Sequence, residues 1–230
     1  MTPMIEIDRG PAANLATILA RIAAARKMAV APAPETTLIA ISKSHNADRI
    51  VPVLGAGHRV FGENRVQEAK AKWPDLCARF SGIELHLVGP LQSNKVREAL
   101  DLFQVIHSLD RAKLADALAL EISRGAAAPK LFIQVNTGEE PQKAGIAPAA
   151  THEFVRYCRD EKKLPVIGLM CIPPVEENPS LHFALLAKLA REAGLAHLSM
   201  GMSDDFETAI RFGATHIRVG TAIFGARPTP

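Results

Sequence analysis

Aromatic side chains are scarce in this sequence: one tryptophan, one tyrosine and nine phenylalanines stand among 230 residues. Few rings are available to stack on bases, and Lys and Arg are scattered among acids for a net charge of +3. Neither feature supports nucleic acid as a partner. Any attraction for an anion has to be local. Cysteine is rarer than phenylalanine. Cys77, Cys158 and Cys171 are odd in number and far apart, without metal-ligand spacing, so neither a disulfide framework nor a metal centre is expected. These thiols should be reduced and buried or half-buried. No apolar run is long enough to cross a membrane, and the N-terminus, MTPMIEIDRG, lacks a basic region followed by an apolar stretch. The expected location is the cytoplasm, with no membrane partner.

At 48% hydrophobic and 22% charged, the chain can bury a full core. It opens with an Ala-rich helix that places Leu15, Ile18, Leu19 and Ile22 on one face. Strand-like and helix-like segments then alternate to the end. The strands are TLIAIS, HRVFG, ELHLVG, FQVIHS, KLFIQVN, PVIGLM, AHLSMG and HIRVG. Between them lie the helical patterns ADRIVPVLGAG, RVQEAKAKWPDL, NKVREALD, RAKLADALALEISR, PAATHEFVRYCRDE, SLHFALLAKLAREAG and DDFETAIRF. The strands are short and mostly continuous in apolar character, as parallel strands covered on both faces are. Eight βα units in so short a chain predict a single-domain (β/α)8 TIM barrel over residues 1–230, with an extra N-terminal helix. A doubly wound open sheet would usually carry a Gly-rich fingerprint after its first strand, where this chain reads SKSHN. In (β/α)8 barrels chemistry sits at the C-terminal ends of the strands, and phosphate is often held after strands seven and eight.

Those two loops lie in the most informative stretch, AHLSMGMSDDFETAIRFGATHIRVGTAIFGAR. Ser203 reads as an N-cap with Asp204 and Asp205 in the first turn, Gly213 stops that helix, and Gly220-Thr221 opens one more short turn. Two adjacent strands thus end in small-residue turns with unused backbone N–H groups, which suits a phosphate. Lys43 ends the first strand and points into the barrel mouth. Partial burial and nearby cations there would raise its neutral fraction and make it a nucleophile toward an aldehyde. Within HIRVG, alternation turns His216, Arg218 and Gly220 inward and Ile217 and Val219 toward the helices. A buried guanidinium needs partners, either an interior acid or carbonyl or the nitrogen of a ligand ring. A lysine and a phosphate cup facing one pocket meet the basic requirement of pyridoxal 5′-phosphate (PLP), whose aldehyde needs an amine and whose phosphate needs N–H donors. Arg218, staying protonated, would hold the pyridine nitrogen unprotonated and weaken the ring as an electron sink.

The stretches AISKSHNADRI, FGENRVQEAKAK, HLVGPLQSNK, VIHSLDR, IQVNTGEEPQKAGI and GLMCIPP, followed by the C-terminal stretch from Leu198, cover nearly the whole length. In that order they resemble the pyridoxal-phosphate homeostasis protein family, single-domain relatives of the alanine racemase barrel. The resemblance implies that Lys43 forms the internal aldimine with PLP, that Arg218 meets the ring nitrogen, and that Ser203, Gly220 and Thr221 form the phosphate cup. It places Ser199, Met200 and Gly201 at the strand end close to that cup, and Asn64 and His86 on the pocket lining. Ser44-His45 stands where many relatives have Thr followed by Lys or His, a conservative departure. By residue type alone, Asn64 also fits the N-cap of an exposed helix start, and His86, between Leu85 and Leu87, fits a core histidine bonded to a carbonyl. The loop GEEPQKAG reads as either a mobile rim or a solvated loop, and Tyr157 as packing in its helix.

Two functions of different class follow. A carrier would bind PLP reversibly, buffer it and deliver it to PLP-dependent apo-enzymes; a racemase would act on amino acids through the same aldimine. Racemisation needs an acid/base group on each face of the substrate carbanion. In the full-length racemases the second group is a tyrosine from an additional β-domain across a dimer interface. The chain ends at Pro230, a few residues past the last barrel unit, and its one tyrosine lies on an outer helix. The expectation is therefore a monomeric PLP carrier rather than an enzyme.

Overall fold

The computed structural model describes residues 10–30 and 32–226. The N-terminal segment read for a targeting signal, both outer ends of the 1–230 domain and Arg227 of the last quoted stretch lie outside the described residues.

Eight strands form where the apolar runs predict them: β1 (Thr37–Ile41), β2 (Val60–Glu63), β3 (Glu84–Leu87), β4 (Val105–Leu109), β5 (Lys130–Gln134), β6 (Val166–Met170), β7 (His197–Ser199) and β8 (His216–Val219). Each runs parallel to the next in sequence order, and β8 returns to β1 to close a barrel. At the closure Leu38 lies opposite Ile217 and Ile39 opposite Arg218. Around the barrel lie α1 (Pro11–Met28), α2 (Ala47–Gly55), α3 (Val66–Arg79), α4 (Val96–Leu100), α5 (Ala112–Ser123), α6 (Thr151–Arg156), α7 (Pro179–Glu192), α8 (Phe206–Arg211) and α9 (Thr221–Phe224). This is the (β/α)8 barrel that the alternation predicts, with α1 as the added helix. The helical pattern at 148–161 is built in three pieces, a 3-10 turn at Pro148–Ala150, α6 and a π turn at Tyr157–Glu161.

Burial follows from side-chain alternation. Outward residues such as Leu38, Phe61, Ile106 and Ile217 join the helices in one large core, while Val105, Phe132 and Met170 form a separate cluster inside the barrel. The buried face of α1 carries Pro11, Leu15, Ile18, Ile22 and Ala25, and it packs against α2, α8 and α9. Leu19, expected on that face, is instead 45% exposed. The buried stripe steps by three and four residues, and Leu19 falls beside it. The same geometry corrects Cys77. The inner stripe of α3 is Val66, Ala69, Trp73 and Leu76, so Cys77 faces outward and is exposed. Cys158 and Cys171 are buried, and all three thiols are free. Among the described residues no helix is long and apolar enough to cross a membrane.

Candidate functional site

The C-terminal ends of the strands open on a cavity of about 540 Å³. Six of the ten residues singled out in the sequence line it: Lys43, Asn64, Ser203, Arg218, Gly220 and Thr221. The other four, His86, Ser199, Met200 and Gly201, lie outside its wall.

Lys43 lies two residues past the end of β1, after Ser42, and is half-buried. The backbone on either side of it is fastened from α3. Lys72 Nζ donates to the carbonyls of Ser42 (3.0 Å) and His45 (3.1 Å), and Ser44, held at a positive φ of 65°, gives its N–H to the Glu68 carboxylate. Ser42 Oγ donates to Glu63, a fully buried acid at the end of β2, which also takes the Trp73 indole N–H at 3.0 Å. Asn64 comes next in the chain. α3 begins at Val66 with Arg65 in the cap position and no side-chain capping bond, so Asn64 belongs to the cavity wall and not to a helix cap. Gly89 lets the chain after β3 cross directly over it; a Cβ there would fall on the Asn64 backbone.

Arg218 lies on the neighbouring strand, inside β8, 5% exposed. Its Nη1 donates to Ser199 Oγ (2.8 Å) and its Nη2 to the Cys171 carbonyl (2.8 Å). The interior-carbonyl partner and the contact with the cavity coexist, because the guanidinium has five N–H donors and these bonds use two. Burial draws Arg218 below the usual guanidinium value. Gly201 turns the end of β7 at φ 93°, and its carbonyl accepts Arg218 N at 2.9 Å; a Cβ there would press on Ala209.

Ser203 is not the N-cap the sequence suggests. The Asp205 carboxylate accepts the Met202 N–H at 2.6 Å and ties residues 202–205 into a turn, so α8 starts only at Phe206. Met202 N–H is therefore used. Among the described residues, Ser203 N–H and Asp204 N–H meet no acceptor, and Ser203 sits half-buried on the cavity wall. At the neighbouring strand, Thr221 and Ala222 open α9, where first-turn N–H groups have no intrahelical acceptor. Burial raises the Asp205 carboxyl above its ordinary value.

His86 does not line the cavity. It is fully buried one layer deeper in the barrel, with Nε2 on Glu84 Oε1 (2.8 Å) and Nδ1 on His107 Nε2 (2.8 Å). Its partners are side chains and not the carbonyl its setting suggested. Ser199 lies beneath Arg218, and Met200 is buried in the outer core. The loop 138–145 is tied down: Asn136 Nδ2 donates to the Glu140 carbonyl (2.8 Å), Gln134 Nε2 to the Ala144 carbonyl (3.0 Å) and Lys143 Nζ to the Pro173 carbonyl (3.3 Å). It forms one wall of the cavity through Gln142, Lys143 and Ala144. Tyr157 sits on the outside, its hydroxyl donating to Asp116 at 2.6 Å.

Sequence reading missed His45, Gly89, Asn136 and Lys143 on the wall, and His107 beneath it. His107 was legible in principle, being inward by alternation on the same strand as Val105. The others depend on loop paths that no local pattern fixes.

Comparison with known proteins agrees over almost the whole chain. Residues 13–228 match the family described as alanine racemase, N-terminal domain. The pyridoxal phosphate homeostasis protein of Pseudomonas aeruginosa is 40% identical over 221 residues, spanning 94% of this chain and 95% of that protein. PipY of Synechococcus elongatus, solved with PLP bound, superposes with a TM-score of 0.80 at 37% identity, covering 94% of this chain and all (100%) of that one. An alanine racemase from Bartonella henselae shares the fold at a TM-score of 0.69 but only 16% identity, and this chain spans 61% of its length. The chain therefore belongs to the pyridoxal phosphate homeostasis protein family, within the wider set of alanine racemase N-terminal barrels.

Proposed function

We propose that this chain is a PLP-binding homeostasis protein that holds the cofactor reversibly at Lys43 and supplies it to PLP-dependent apo-enzymes, acting as one domain and as a monomer. The observation that carries the reading is that three unlike groups face one cavity: a lysine at the end of β1, a buried guanidinium on β8, and the turns at Ser203-Asp204 and Gly220-Thr221. These groups fit PLP, which needs an amine, a partner for its ring nitrogen and N–H donors for its phosphate. When bound, PLP supplies an aldehyde that condenses with a primary amine, releasing water, and a ring able to accept electrons.

The protein's own residues do the rest. The fastened backbone around Lys43 fixes where its side chain enters the cavity, and the tied loop 138–145 walls one side of it. Arg218 stays a hydrogen-bond donor at the ring, which limits the ring as an electron sink. The chain's one tyrosine is engaged with Asp116 on the outer surface, so it gives no second acid/base group at the cavity. That observation favours carrying over racemisation.

The test is a visible absorption spectrum of the protein incubated with PLP, before and after borohydride, followed by peptide mapping. A visible band that borohydride converts to a pyridoxyl group on the Lys43 peptide is expected, together with its loss in Lys43→Ala. A modified peptide elsewhere, or no band at all, overturns the reading.

A further inference from the structure

Beneath the cavity floor the barrel interior carries a line of polar side chains where such barrels commonly pack branched aliphatic ones. It runs from Glu84 at the start of β3, through His86 on β3, His107 on β4 and Ser199 on β7, to Arg218 on β8. The four links are His86 Nε2 to Glu84 Oε1, His86 Nδ1 to His107 Nε2, His107 Nδ1 to Ser199 Oγ, and Arg218 Nη1 to Ser199 Oγ, each 2.8 Å. His86, His107 and Ser199 are buried, and the His107 ring stacks on Phe132 at 4.4 Å.

The ends of this line fix its direction. A guanidinium only donates and a carboxylate only accepts. With both imidazoles neutral, one arrangement of protons makes every link. Arg218 donates to Ser199 Oγ, Ser199 to His107 Nδ1, His107 through Nε2 to His86 Nδ1, and His86 through Nε2 to Glu84. Both rings must then be Nε2–H tautomers. Burial keeps them neutral: it lowers His86, and it lowers His107 well below the ordinary imidazole value, with the neighbouring histidines and Arg218 acting in the same direction. Glu84 is held ionised by the hydrogen bond from His86.

We propose that Glu84, His86, His107 and Ser199 are positioning residues for Arg218, a one-way hydrogen-bond chain that orients Ser199 Oγ as its acceptor and so presents the remaining guanidinium N–H groups to a ring nitrogen in the cavity. This rests on the reading of Arg218 as the ring partner of PLP. The Cys171 carbonyl holds the other arm of the guanidinium, so the chain supplies the second of its two anchors. A carboxylate near the opposite end of the barrel thereby sets the geometry of the binding group.

Two measurements test this, one of them without cofactor. In ¹⁵N-histidine-labelled protein near neutral pH, long-range proton–nitrogen spectra should show His86 and His107 as neutral Nε2–H tautomers. Ser199→Ala should release the Arg218 guanidinium into fast rotation, seen as averaged Nη resonances, and Glu84→Ala should mix the two tautomers at His107. A protonated or Nδ1–H His107 in the unaltered protein, or an Arg218 signal indifferent to both substitutions, overturns the chain. The second measurement compares PLP with its analogue bearing C–H in place of the ring nitrogen. Ser199→Ala should weaken PLP by roughly three- to tenfold, the net worth of one ordinary hydrogen bond, and leave the analogue unchanged. Equal losses for both ligands would mean Ser199 acts only on packing. If the unaltered protein fails to bind PLP at Lys43, the functional reading falls, while the spectra still decide the chain.

Discussion

Lys72 Nζ lies 2.8 Å from Glu63 Oε1, a contact between an ammonium 10% exposed and a carboxylate with no exposure. The same ammonium bonds the carbonyls on either side of the Lys43-Ser44 pair, so one buried ion pair fastens the backbone that carries the amine. Glu63 Oε2 meanwhile has no hydrogen-bond partner among the described residues. Removing the cation would leave Glu63 buried and uncompensated, at a cost of about 3–5 kcal/mol. Lys72→Met should therefore lower the urea midpoint markedly and weaken PLP binding. A midpoint within experimental error of the unaltered protein would show that the pair holds nothing in place.

The anion cup makes a prediction about ligand choice. Ser203→Ala combined with Thr221→Val removes two hydroxyls from the cavity wall and keeps the backbone N–H groups. PLP affinity should fall by roughly tenfold or more while pyridoxal, lacking the phosphate, is nearly unaffected. Titration of both ligands by absorbance decides it, and parallel losses would place the phosphate elsewhere.

Gly89→Ala tests the close crossing over Asn64. The new methyl would fall on the Asn64 backbone and force the wall of the cavity outward, at about 1–3 kcal/mol. The melting temperature and the PLP affinity should drop together. Affinity unchanged in a destabilised protein would remove Asn64 from the binding surface.

Stability should depend on pH through the buried histidines. His86, His107 and His216 are all lowered chiefly by burial, His216 to about 3, so the folded protein keeps them neutral where the unfolded chain, near 6.5, takes up protons. Above that value neither state is charged and stability is level. As pH falls below it, the unfolded state gains protons and stability drops, by up to about 1.4 kcal/mol per pH unit for each such group. Urea midpoints measured from pH 7.5 to 4.5 should decline throughout the lower part of that range. A flat profile would mean these rings are already charged in the fold.

The barrel was legible because each strand is a short apolar run bounded by turn residues, and the closure follows from counting them. Arg218 was legible for the same reason, since strand alternation alone turns it inward. Ser203 reads as a cap because two acids follow it, and local pattern cannot tell which side chain captures which N–H; Asp205 takes the Met202 N–H. Resemblance implies a pocket position for His86, yet its depth along β3 sets it one layer below, where Glu84 and His107 take both ring nitrogens. Lys72 and Glu63 carry no signature at all. Their roles arise only when α3 docks beside the end of β1, a tertiary relation with no local trace.

Trp73 is the sole indole of the chain, wholly buried, and its N–H ends on the same Glu63 oxygen that receives the Ser42 hydroxyl. The protein thus contains a single indole, wired through one carboxylate to the residue preceding Lys43. A shift of that loop that breaks the Ser42–Glu63 bond should alter the polarity felt by the indole. Its emission should therefore follow movement of the loop that carries Lys43, without an added label.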